Sequence, residues 1–232
     1  MDNLHKKILF VGNSYTFVND LPNVLSDLAL SGGYDLQTDH ITKGGATLQD
    51  FLYSEGELNN VLNSKLNENK WDFVVLQERS QIPAISEQRL TKMYPSIRLL
   101  NNKIKSCGAE TILFMTWGRQ FGDDETGFEN FETMQEALKE GYTKIANEIS
   151  SLVAPAGIAW LKAKQKDKDI SLWNKDGSHP SIIGTYLTAC VFYILILKQN
   201  PVGLSYTAGI SKEMTRFLQE IALESMKKDR LK

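Results

Sequence analysis

The sequence predicts an α/β fold: three layers, with a roughly five-stranded parallel sheet between helices on both faces. Three observations carry this. Short apolar runs alternate with longer amphipathic segments along the chain. The apolar runs are of strand length and are closed by glycine or polar residues. No internal repeat, low-complexity tract or Pro/Ser-rich linker divides the 232 residues, so 1–232 reads as one domain with a sizeable core.

Residues 8–11, Ile-Leu-Phe-Val, are an unbroken apolar run ending at Gly12, as a parallel strand buried on both faces requires. Asp20 with Pro22 marks a helix start, and "LPNVLSDLALSGG" keeps helical apolar spacing until a double glycine stops it. "DLQTDHIT" alternates as a second strand before Gly44-Gly45. Residues 48–66 are helical in parts. "WDFVVLQ" is the third strand, rich in β-favouring residues. Residues 86–108 carry a long helical pattern that closes at Gly108, with a kink expected at Pro95. "ETILFMTWG" is the fourth strand, 128–150 an amphipathic helix and "SLVAPAG" the fifth strand. Residues 180–197 form an apolar helix and 211–228 an amphipathic one. The run "YLTACVFYILILK" covers about half a membrane span and predicts a buried helix, not a membrane partner.

The formal net charge of −2 favours neither nucleic acid nor an anionic membrane as partner. The basic end "MKKDRLK" reads as a solvated helix end. Cys107 and Cys190 are the two cysteines, and without a C-x-x-C or Cys/His cluster neither a disulfide scaffold nor a zinc site is expected. No metal or cofactor is implied. "MDNLHKK" runs straight into a strand without a leader pattern, so the chain as given reads as cytoplasmic; a chain trimmed of an export signal would read the same. The oligomeric state is not legible.

In a parallel sheet, ligands bind beyond the carboxyl ends of the strands. Ser14, Gly44-Gly45, Gln77 and Thr116-Trp117-Gly118 all lie at predicted strand ends. Ser205, in the nearly repeated "GLSYT", follows a helix break and reads as a turn residue. A nucleophilic serine needs a base, and histidine suits it at working pH. His5 is in a lysine-flanked tail and reads as solvated. His40, inside the second strand, reads as structural. His179 lies in the polar loop "NKDGSHPS" with Asp176 three residues before it. A carboxylate there can fold back to the imidazole Nδ1 and fix its tautomer. The competing reading is a plain Asp-Gly turn with Ser178 or His179 capping the next helix.

Taken together, "VGNSYT", "KGGAT" and "DGSHP" resemble, in order, the first, second and last blocks of the SGNH (GDSL-type) hydrolases. The blocks span residues 12–180. The resemblance implies a flavodoxin-like sheet and an ester hydrolase without cofactor. It makes Ser14 the nucleophile and Asp176 and His179 its partners. The oxyanion would be held by the N–H groups of Ser14 and Gly45. Two positions depart from the family: its acid before the nucleophile is Asn13, and its third block, G-x-N-D, is here "LQERS". A branch with "LQE" in that place would use the Gln77 amide as the third oxyanion donor. Asn13 and Trp117 are the expected substrate contacts, Trp117 as an aromatic face beside the cleft; the competing readings are core or rim packing for Trp117 and a polar strand-end residue bonded to a loop for Gln77. The implied substrates are small acyl esters, with acylated carbohydrate first. The alternative is a non-catalytic glycan- or ligand-binding domain on the same fold, motivated by the departures at Asn13 and Gln77.

Overall fold

The computed structural model describes residues 5–53 and 56–227. The start of the N-terminal segment, residues 54–55 of the 48–66 stretch and most of the basic end lie outside the described residues. Five parallel strands pair in the order β2-β1-β3-β4-β5. They are β1 (Lys6–Gly12), β2 (Leu36–Thr42), β3 (Phe73–Leu76), β4 (Glu110–Phe114) and β5 (Leu152–Ala154). After β1 come α1 (Ser14–Phe17) and α2 (Leu21–Ser31); after β2, α3 (Glu57–Glu68). After β3 come α4 (Ser86–Gln88) and α5 (Tyr94–Ser106); after β4, α6 (Phe131–Ile149). α7 (Ala156–Lys166), α8 (Ile182–Leu197) and α9 (Lys212–Ser225) follow β5.

Alternation along the strands sorts the core into two layers. Ile8, Phe10, Val75, Ile112 and Phe114 point to α2, α7, α8 and α9. Leu9, Val11, Val74, Leu76 and Leu113 point to α3, α5 and α6. Phe10 and Phe114 both meet Phe192 of α8 edge-to-face, at centroid distances of 5.4 and 5.1 Å. Each such fully buried ring contributes roughly 1.5–3 kcal/mol relative to exposure. α8 is buried along nearly its whole length, which explains its apolar sequence. No helix among the described residues is long and apolar enough to cross a membrane.

Two helical details differ from the sequence expectation. The helix runs on through Pro95: α4 continues by a π turn over Arg89–Met93 into α5, with the Tyr94 N–H bonded back to the Arg89 carbonyl and Pro95 in the first turn of α5. α7 was not expected. Its packed face is Ala156, Gly157, Ala159, Trp160 and Ala163, mostly small residues that raise no apolar period.

β1 lies between β2 and β3, so the chain leaves β1 toward one edge and resumes at β3 toward the other. This is a topological switch point, where a crevice opens between the carboxyl ends of two neighbouring strands. Ser14 and Gln77 stand at those two ends.

Candidate active site

β1 stops at Gly12, and Asn13 caps α1 by accepting a hydrogen bond from the Tyr15 N–H at 3.2 Å. Ser14 therefore opens a short helical turn, half-buried at the rim. The His179 Nε2 lies 2.8 Å from the Ser14 Oγ, and its Nδ1 lies 2.6 Å from the Asp176 Oδ2. A carboxylate facing Nδ1 keeps the proton there and leaves Nε2 as an acceptor toward the serine hydroxyl. The Asp176 Oδ1 accepts from the N–H groups of Ser178 and His179, at 2.9 Å each. Gly177 takes φ +67°, which makes this tight turn easy for glycine and strained for other residues. Burial raises the Asp176 pKa, but the imidazole and the two N–H donors outweigh it and hold the carboxyl below its ordinary range.

The loop bearing His179 is stitched to the turn bearing Ser14. The Tyr15 and Ser178 hydroxyls are 2.7 Å apart, and the Tyr15 ring meets the imidazole edge-on at 5.7 Å. Burial pushes the Tyr15 phenol pKa up, partly offset by hydrogen bonds with Ser178 and Ser80. The Asn19 amide donates to the Pro180 carbonyl at 2.8 Å and to the Thr185 hydroxyl at 3.0 Å. The Trp117 indole N–H donates to the Ser178 carbonyl at 3.0 Å.

Trp117 corrects one expectation. It is 1% exposed, stacked at 4.9 Å on Tyr15 and at 3.9 Å on Trp160, so it supports the histidine loop from below and offers no face to substrate. Asn13 corrects another. It is 3% exposed, and its amide donates to the Ala46 carbonyl at 2.9 Å, tying the Gly44-Gly45 turn to the Ser14 turn.

Gln77 corrects a third. It is fully buried, and its Oε1 accepts from the Asn13 N–H at 2.8 Å and the Thr16 hydroxyl at 3.0 Å. A backbone N–H can only donate, which fixes the amide orientation. The Nε2 then donates to the Asn13 Oδ1 at 3.0 Å and the Glu78 carbonyl at 2.6 Å. Both amide hydrogens are used, so none is left for an oxyanion. Gly12 permits this arrangement: a Cβ there would stand 2.5 Å from the Gln77 Oε1. Gly45 is exposed at φ +70° with no atom within 4 Å of a Cβ position, and its N–H has no backbone partner among the described residues.

Glu78, given no role from sequence, is buried beneath the same turn. Its Oε1 accepts from the Leu48 N–H at 3.1 Å and the Arg79 N–H at 2.7 Å. The Oε2 has no partner among the described residues. Burial pushes the Glu78 pKa up to about 7 against the pull of these two N–H donors, with the Asp50 carboxylate adding to the rise and Arg79 opposing it. Thr47 and Asp50 close the segment as a capping box, the Asp50 Oδ2 accepting from the Thr47 N–H at 2.7 Å. The Thr-x-x-Asp spacing was a legible sign of that turn. The other histidines stay apart from Ser14. His5 is exposed 2.6 Å from Asp35, and His40 is exposed on edge strand β2 beside Thr42, not structural in the core. Ser205 lies in an exposed turn. Among the described residues no His/Cys/Asp/Glu cluster could hold a metal ion.

Two outcomes follow for this network. Asn13→Asp, which restores the family acid, would set a carboxylate oxygen against the Ala46 carbonyl. It should cost ~1–3 kcal/mol in urea melts and lower any Ser14-dependent activity; unchanged stability would contradict the tether. Glu78 carries its proton in the fold up to about 7 against an ordinary 4.5. Its stabilisation is full below 4.5 and is lost as pH rises to about 7, by up to ~3 kcal/mol. Melts of Glu78→Gln over this range should show a flatter pH dependence than wild type; parallel slopes would contradict the buried acid.

A model of the family described as "Domain of unknown function (DUF4886)" matches residues 50–215, a span that includes Gln77 and the Asp176/His179 loop and begins after Ser14. A search of curated proteins found no match. Among solved structures, a DUF4886 family protein from Bacteroides uniformis is similar with a TM-score of 0.80 at 20% identity, covering 95% of this chain and 94% of that one. A protein from Slackia heliotrinireducens assigned as an SGNH hydrolase is 27% identical, with a TM-score of 0.68 over 83% of this chain and 99% of that one. An acetylxylan esterase from Geobacillus stearothermophilus shares the fold at 17% identity, with a TM-score of 0.61 over 90% of this chain and 100% of that one. With its parallel sheet matched across those structures and its family model spanning most of the chain, the protein has the SGNH hydrolase fold and belongs to the DUF4886 family.

Proposed function

We propose that the protein is a serine ester hydrolase that works through an acyl-enzyme. The observation that carries this reading is the continuous Ser14–His179–Asp176 hydrogen-bond chain, at 2.8 and 2.6 Å, at the switch point of the sheet. The Ser14 Oγ attacks the ester carbonyl carbon as its proton passes to the His179 Nε2. Asp176 stabilises the imidazolium that forms. The Ser14 and Gly45 N–H groups receive the oxyanion, each such donor being worth ~2.7–4 kcal/mol. His179 returns the proton to the leaving alcohol. It then takes one from water, which attacks the acyl carbon and frees Ser14.

Small acyl groups suit this site. Ser14 and His179 sit at an open, partly exposed rim. An apolar cavity lies between α6, β5, α8 and α9, lined by Met115, Val153, Leu195 and Leu223, and includes no residue of the site. A long acyl chain would need an apolar cavity joined to Ser14. The Geobacillus esterase, named for acetylxylan, supports an acylated carbohydrate as the first substrate to try. The binding-domain alternative drew its motive from Asn13 and Gln77; their structural use removes that motive.

A fluorophosphonate should label the wild type once, at Ser14, by intact mass and peptide mapping. Ser14→Ala should take no label and lose turnover of p-nitrophenyl acetate by roughly 10⁴-fold or more. An unlabelled wild type, or equal labelling of Ser14→Ala, would overturn the reading.

A further inference from the structure

We infer that the apolar cavity bordered by α6, β5, α8 and α9 is a binding site for an uncharged amphiphile, an apolar body with a hydroxyl or amide end. The site lies apart from Ser14 and does not depend on the hydrolase reading. The cavity holds about 700 Å³, a volume in the range of small-molecule sites. Met115, 1% exposed just beyond the end of β4, is its most buried wall. Val153, Ile194, Leu195, Leu223 and Met226 complete the apolar lining. Such a lining releases water to an apolar guest.

The charges around the cavity select the head group. Among the described residues no Asp or Glu lines it, and Lys198 is its one charged residue. Lys198 is exposed and forms no ion pair among the described residues. A cationic head would face that ammonium with no carboxylate to offset it. The neighbouring acids are engaged elsewhere, Glu148 with Arg98 and Glu224 with Lys162 and Lys166. An anionic head meets a different obstacle. α6, α8 and α9 all end at this cavity, giving it Asn147, Leu195 and Leu223 from their last turns. The last carbonyls of a helix lack partners within it and carry partial negative charge. One water-exposed ammonium stands against three such ends. A neutral head avoids both obstacles and finds hydrogen bonds. The Asn147, Gln199 and Asn200 amides line the cavity, as does Ser151, whose Oγ is buried without a partner among the described residues. A guest with no polar end would leave that hydroxyl unpaired.

Carbon-13 labelling of the methionine methyl groups tests the site, because Met115 and Met226 line the cavity and Met93 and Met134 do not. Titration with octanol should shift the Met115 and Met226 signals, saturating with a Kd of ~1 mM or below, and leave Met93 and Met134 in place. Met115→Leu and Met226→Leu each remove one signal and so assign the pair. Octanoate and octylammonium carry the same chain and should bind about tenfold more weakly or worse. Lys198→Met should keep octanol binding and bring octylammonium closer to it. Leu223→Trp, which fills the cavity, should abolish the octanol shifts while thermal unfolding stays cooperative. No saturable shift in the wild type, equal shifts on all four methionines, or a charged probe that binds as tightly as octanol overturns the inference. So does octanol binding that survives in folded Leu223→Trp. Met115 and Met226 signals that move with protein concentration alone would assign the cavity to a second copy of the chain and overturn it too. If Leu223→Trp does not fold, Lys198→Met decides: octylammonium as weak there as in the wild type removes the charge argument and the inference with it.

Discussion

Gln77 reaching across Gly12 to Asn13 is the contact on which the rest of the site depends. At the switch point the chain above β1 and β3 diverges, and the buried polar groups there need partners. Gln77 supplies them with all of its hydrogen-bonding capacity, taking the Asn13 N–H and Thr16 hydroxyl and giving to Asn13 and Glu78. Leaving any one of these groups unpaired costs about 1–3 kcal/mol, so the network stands or fails largely as a unit. Asn13 passes the constraint to Ala46, and the Glu78 side chain passes it to Leu48, so the Gly45 turn is held at both ends.

The histidine loop is fixed by different means. It comes from sequence more than 160 residues away, and local propensity cannot place it. An aromatic column of Tyr15, Trp117 and Trp160 stands under it, with the Trp117 indole on the Ser178 carbonyl and the Tyr15 hydroxyl on the Ser178 side chain. Tyr15 follows Ser14 directly, so the residue that braces the histidine loop travels with the serine. Polar bonds set the turns around Ser14 and Gly45; stacked rings set the height of His179.

Much of this was legible in the sequence. The five strands showed because buried parallel strands are apolar on both faces, and the strand-end rule brought Ser14, Gly45 and Gln77 to one rim. α7 was not legible because its buried face is built largely of alanine and glycine. Gln77 and Trp117 were placed correctly along the chain but not in orientation. Strand-end position does not say whether a side chain turns up into a cleft or down onto a neighbour. For Gln77 the deciding fact is the absent side chain at Gly12; for Trp117 it is the flat face of Trp160. Asn13, a departure from the family acid, became intelligible once its amide was seen facing the Ala46 carbonyl, which a carboxylate could not do.

The central claim is that Ser14 is the nucleophile, that backbone N–H groups of Ser14 and Gly45 receive the oxyanion, and that Gln77 stays closed beneath them. A crystal structure of the protein carrying a small phosphonate on Ser14 tests it most directly. The account predicts a phosphonyl oxygen within hydrogen-bond distance of both N–H groups, with the Gln77 amide still on Asn13 and Glu78. An adduct whose oxygen is held by a reoriented Gln77 side chain, or one that leaves the Gly45 N–H without a partner, would contradict it.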